Sequence, residues 1–226
     1  MKKLILSLVV LSFASVTAQA ADTLKFHNLG FSTDGKYYSY ATSAVGDGSG
    51  YGYANVFIKQ VDEYDRGEIL RVTRDTEVDN DRLALKLAIQ SVNFTSFGGL
   101  IPYGIRGETV TPTADKEITL NTYNAKYRLQ LKTLPARFPN PMCKNDWDIA
   151  SSRLELAVTK TDSKGKSETQ VLFSDYSEPG ARICAQNYKI AQVIRHDDRL
   201  VLVISYDSPG FEGMDHDFVV LSTKLN

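Results

Sequence analysis

The chain has little of what catalytic and metal centres are usually built from. Its 226 residues include two cysteines, three histidines and one tryptophan. Two cysteines without a partnering histidine cluster argue against a zinc site. Nucleophilic catalysis needs a nucleophile, a base and an orienting group. No serine stands in a Gly-x-Ser-x-Gly elbow, so no catalytic residue is assigned and no cofactor is implied. An excess of one charge is also missing, with 26 basic against 27 acidic residues. That balance offers neither the basic face of a nucleic-acid binder nor a polybasic membrane patch. Beyond residue 20 no apolar run approaches the ~18 residues that span a bilayer.

The first twenty residues differ from the rest. Lys2 and Lys3 precede an apolar run from Leu4 to Phe13, and Ala18-Gln19-Ala20 is a small-x-small sequence. This pattern predicts a secretory signal peptide cleaved after Ala20, and hence a periplasmic or secreted protein. Loss of Lys2 and Lys3 leaves 24 basic and 27 acidic residues, a net charge of −3. Residues 21–226 are expected to form one β-rich domain. Both cysteines, Cys143 and Cys184, fall in the exported part within loop-like sequence. Oxidising compartments favour disulfides. A bridge between them closes about forty residues and stabilises by roughly 3–4 kcal/mol in the chain-entropy model.

The periodicity is mainly that of strands. Residues 24–31 lead into Ser32-Thr33-Asp34-Gly35, a tight-turn signal. From Lys36 to Ser43 the chain alternates, with Tyr38, Tyr40 and Thr42 on one face and Tyr37, Ser39 and Ala41 on the other. A glycine-rich loop over 44–54 precedes a strand from Asn55 to Val61, with Val56 and Ile58 sharing a face, and another from Glu68 to Thr73. These four strands make a first sheet over 24–74. Residues 79–92 carry Leu85, Ala88, Ile89 and Val92 at helical spacing, with Asp79 or Asn80 as N-cap. The remaining sheets are expected over 117–223. Strands there are predicted at 118–120, 126–134, 153–161, 169–174, 188–195, 200–206 and 218–222, with 100–116 turn-rich and 135–148 irregular. The fold class is mainly β: two or three antiparallel meander sheets, propeller-like or sandwich-like, with one amphipathic helix.

The last sheet echoes the first. Asp197-Asp198-Arg199 stands where Asp34-Gly35-Lys36 does, and each turn is followed by a strand, a Gly-containing loop and a second strand. His27 and His196 take matching places in the lead-in. Arg153 to Phe173 is a poorer third copy. Fixed-period similarity marks propellers and repeat arrays, yet three sheets are fewer than the four to eight blades of a typical propeller.

Two loops hold the candidate site residues. The segment 210–217 gathers Glu212, Asp215, His216 and Asp217, which could bind a divalent cation or serve as acid and base. A polar hairpin loop explains the same residues. The segment 46–54 offers Asp47, Tyr51 and Tyr53 as a contact surface. Its single acidic residue falls short of a calcium loop.

The stretches Phe31-Ser32-x-Asp34-Gly35, Asp47-Gly48-Ser49-Gly50 and Gly210-Phe211-Glu212-Gly213 resemble a family of predicted secreted bacterial proteins, domain of unknown function 2259, over about residues 25–222. The N-terminal segment also looks like a blade of TolB-like propellers. The resemblance implies export and a β-rich fold, and it supplies no activity or ligand. The expected function is a non-enzymatic binding or protein-interaction module with a partner in the cell envelope. A metal-dependent hydrolase centred on 210–217 and a structural envelope protein are the alternatives.

Overall fold

Twelve strands arise where the sequence alternates or runs apolar between turn residues. The computed structural model describes residues 21–61, 68–112, 114–122, 124–136, 141–150, 152–175, 184–210 and 213–225. The leader with its cleavage site, Phe211, Glu212 and the turn over 62–67 lie outside them. The first sheet is a meander of β1 (Lys25–Phe31), β2 (Tyr37–Val45), β3 (Gly52–Gln60) and β4 (Glu68–Asp75). After it come α1 (Asp81–Gln90) and a 3₁₀ turn, Phe94–Ser96. The short β5 (Glu108–Val110) joins a different sheet. A second meander holds β6 (Glu117–Asn121), β7 (Ala125–Pro135), β8 (Ser152–Asp162) and β9 (Ser167–Ser174), interrupted by α2 (Pro141–Trp147). The third holds β10 (Gln186–His196), β11 (Arg199–Pro209) and β12 (Met214–Lys224), in the order β12-β11-β10-β5.

Three antiparallel four-stranded sheets therefore stack in a different order from the chain. The C-terminal sheet lies in the middle. On β11, Leu200, Leu202 and Ile204 join the core shared with the β6–β9 sheet, whereas Val201 and Val203 join the core shared with the β1–β4 sheet. A strand covered on both faces should read as a continuous apolar run, and LVLVIS does. The β1–β4 sheet turns Phe31, Tyr38 and Tyr40 toward this middle sheet. Its other face, with Ala41, Ala54, Val56 and Ile58, is covered by Ala84 and Ala88 of α1. Each fully buried aliphatic side chain contributes roughly 1.5–3 kcal/mol.

The described sheets form an open stack and do not close into a propeller ring. The echo between first and last sheets survives as topology, since the strand after each turn, β2 or β11, lies inside its meander. The histidines do not match: His27 pairs with Ala41 in mid-strand, while His196 pairs with Arg199 at the hairpin end.

Several boundaries differ from the reading of the sequence. Among the described residues there are two α-helices, not one. The segment 135–148, expected to be irregular, holds α2: Pro141 opens it, where a missing N–H costs nothing. The turn-rich segment contains β5, which pairs with Val193 to Arg195. The 44–54 loop shrinks to 46–51, and Met214 to Asp217 belong to β12, opposite Asp217's partner Tyr206 and its neighbours on β11. The disulfide is present: Cys143 on α2 bonds to Cys184, 41 residues on. Neither helix is long and apolar enough to cross a membrane.

Candidate functional site

Where the first sheet leaves the edge of the middle sheet, a cavity of ≈ 390 Å³ opens. This volume lies within the range of small-molecule sites, about 300–1,000 Å³. The alternation of β3 puts Tyr53, Asn55, Phe57 and Lys59 on the face turned toward it. Tyr40 and Thr42 of β2, Arg71 of β4, and Asp217 to Val220 of β12 complete most of its lining.

Two polar residues of β3 are deeply buried there, Lys59 at 4% exposure and Asn55 at 8%. Lys59 Nζ donates to the Val220 carbonyl at 2.6 Å, tying the first sheet to β12. The oxygen of Asn55 accepts from Thr73 Oγ1 at 2.7 Å and from Arg71 Nη2 at 3.4 Å. Arg71 can only donate, so this pair orients the amide. Nδ2 of Asn55 then donates to no protein group among the described residues. Arg71 also lies over the Phe57 ring, 5.2 Å from its centre, and Phe57 stacks on Tyr40 at 4.6 Å.

The two sequence-predicted loops meet beside this cleft, joined by a residue that the sequence did not single out. Asp22 accepts from the Asp47 amide at 2.6 Å and from the Tyr53 hydroxyl at 2.9 Å, and its own amide donates to Asp215 at 3.0 Å. Thr23 bridges His216, so the segment before β1 runs along β12. Of the predicted residues, Tyr53 and Asp217 line the cleft, whereas Asp47 and Asp215 stand behind it. Tyr51 is 49% exposed and stands apart from this lining. His216 turns to Asp207, with Nδ1 2.9 Å from its carboxylate.

The electrostatics follow from these contacts. Desolvation raises the pKa of Asp215, and the carboxylates of Asp22, Asp217 and Asp47 push it further. Burial and the Asp22 hydrogen bond hold the Tyr53 hydroxyl protonated. For Asp207, burial acts to raise the pKa, but hydrogen bonds from His216 and Asn187 outweigh it and the net shift is downward. Among the described residues no three His, Cys, Asp or Glu side chains come together as a metal site.

A serine, a histidine and an aspartate do meet on the opposite face of the first sheet. His27 Nε2 lies 2.9 Å from Ser43 Oγ, which donates to Asp81 at 3.1 Å. The order is wrong for a hydrolytic triad, in which the base removes the serine proton and the carboxylate orients the base. Here the serine proton points at the carboxylate, leaving the imidazole to donate. Ser43 is also 1% exposed, beneath α1. Lys25 closes the group with an ion pair to Asp81 at 2.8 Å. Burial lowers the His27 pKa despite the nearby Asp81 charge.

Residues 39–224, nearly all of the stack, match the family described as predicted secreted protein (DUF2259). The chain belongs to this family. The match includes the cleft residues from Tyr40 to Val220, so the cleft lies within the DUF2259 region. No curated protein matches the chain. The DUF2259 description states secretion and names no reaction.

Proposed function

We propose that this protein is an exported, non-enzymatic binding module whose site is the cleft between the first and middle sheets. Processing after Ala20 releases a chain of one domain that begins at Ala21, next to the strap over β12. The observation that carries the reading is Asn55: a residue only 8% exposed that lines the cavity and whose amide donor has no protein acceptor among the described residues. Such a donor is open to an acceptor on a ligand that enters the cleft. The aromatic wall and the few convergent polar groups fit a recognition site. Behind it, Asp22 holds the 46–51 loop through the Asp47 amide, and Asp215 holds the Asp22 amide.

The experiment is native mass spectrometry of protein recovered from the exported fraction of its own host. The expected result is a polypeptide starting at Ala21 that carries a small-molecule adduct, with the adduct lost in Asn55→Leu. Adduct-free spectra for both proteins would overturn the binding reading.

A further inference from the structure

We infer that the cleft takes a small organic carboxylate, its charged end between Asn55 and Arg71 and its apolar body along the Tyr40, Phe57 and Phe218 side. This rests on the cleft being the binding site.

The donors decide the polarity of the ligand. Asn55 presents an amide N–H₂ at the floor, 8% exposed, and Arg71 reaches the same amide oxygen at 3.4 Å. Arginine has five N–H donors in a planar fork and no acceptor. Only one of them is used on Asn55, and one face of the guanidinium lies over Phe57. No carboxylate among the described residues lies within 4.0 Å of Arg71. Two adjacent donor groups, one permanently charged, call for a planar acceptor pair. A carboxylate provides that pair in the geometry a guanidinium prefers.

The acids of the lining do not supply it. Asp217 already accepts from the Tyr206 hydroxyl at 3.0 Å and from the Phe218 amide at 2.6 Å, one bond to each oxygen. Glu68 is exposed and pairs across the strands with Lys59, not with Asn55. Two acidic residues in the lining disfavour a multiply charged anion over a monoanion.

The volume decides the body. A bare phosphate would fill little of ≈ 390 Å³ and would leave the aromatic wall in water. Phe57 stacks on Tyr40, and Phe26 stands 5.7 Å from Tyr40 and 5.8 Å from Phe218. Of these rings Tyr40, Phe57 and Phe218 line the cleft, with Leu24 beside them. A ligand with a hydrophobic or aromatic body buries against them at about 25 cal/mol per Å².

Titration calorimetry with benzoate, its neutral counterpart benzamide and inorganic phosphate tests this on wild type, Asn55→Ala and Arg71→Gln. Arg71 is exposed, so Arg71→Gln keeps the fold even if Asn55→Ala weakens it. The expected result is benzoate binding that falls at least tenfold in each variant, with benzamide and phosphate at least tenfold weaker on wild type. Benzamide bound as tightly as benzoate, or benzoate binding untouched by Arg71→Gln, overturns the carboxylate assignment. Failure of all three probes also overturns it. An Asn55-dependent adduct on the native protein would then leave the binding module standing, and its absence would remove both.

Discussion

Asp215 shows how a residue chosen for chemistry can turn out to carry a cost. It accepts the Asp22 amide at 3.0 Å, yet burial and three neighbouring carboxylates raise its pKa. A raised pKa means that the fold favours the protonated acid. The contribution is fully present below the ordinary carboxylate value, near 4, and is lost as pH rises through the folded value. At neutral pH the ionised Asp215 therefore opposes folding. Asp215→Asn keeps an oxygen for the Asp22 amide and removes the charge. We expect its Tm at pH 7 to exceed that of wild type by up to about 3 °C, because the group is partly exposed and screened. The difference should shrink to nothing by about pH 3. Thermal melts across that range check it, and a gap that widens in acid would reverse the assignment. Asp215, Asp217 and Tyr53 were legible in the sequence because acids and tyrosines beside glycine turns attract attention. Asn55 and Arg71 were not. They alternate with Val56, Leu70 and Val72, and on a strand with one apolar face such residues read as solvent-facing. Only the middle sheet, brought from 160 residues away, covers Asn55 on that face.

At the scale of elements, α1 is fixed at its start by side-chain and backbone contacts together. Asn80 accepts the Leu83 amide at 2.9 Å and is the N-cap, one of the two candidates the sequence offers. Gly52 anchors the same turn to β3. Its amide donates to the Val78 carbonyl at 2.9 Å and its carbonyl accepts the Thr76 amide at 2.8 Å. A methyl group on Gly52 would collide with the backbone of Asn80. Backbone cannot step aside as a flexible side chain can, so Gly52→Ala forces α1 off the sheet. The expected loss is about 1–3 kcal/mol in urea unfolding, and a change below about 0.5 kcal/mol would mean that the helix start gives way freely. The long elements were readable because their periods run over many residues. The short ones depend on partners: β5 exists through its pairing with Val193 to Arg195. The seven residues of α2 are far below the ~12–15 at which an isolated helix is even marginal. Its Cys143 is fully buried in the bond to Cys184.

Across the whole molecule, the order of the sheets in space sets where stability concentrates. The middle sheet is made almost entirely by the last forty residues, and β11 has apolar residues at 0–1% exposure on both faces. Its amides are shielded by strands on either side and by a sheet above and below. Opening β11 requires both cores to come apart, so its exchange reports global unfolding. The outer strand β9 is different. Residues 167–171 are exposed, and β9 is the edge of its sheet. The amides of 200–204 should therefore exchange slowest, those of 54–58 next, because the cleft leaves part of that strand's other face open, and those of 167–171 fastest. A separation of at least 1.4 kcal/mol between β11 and β9 corresponds to a tenfold difference in protection. Native-state hydrogen exchange read by mass spectrometry gives this ranking directly. If β9 proved as protected as β11, the middle sheet would not be the last structure to open. The edge strand would then open only together with β11, in one global step.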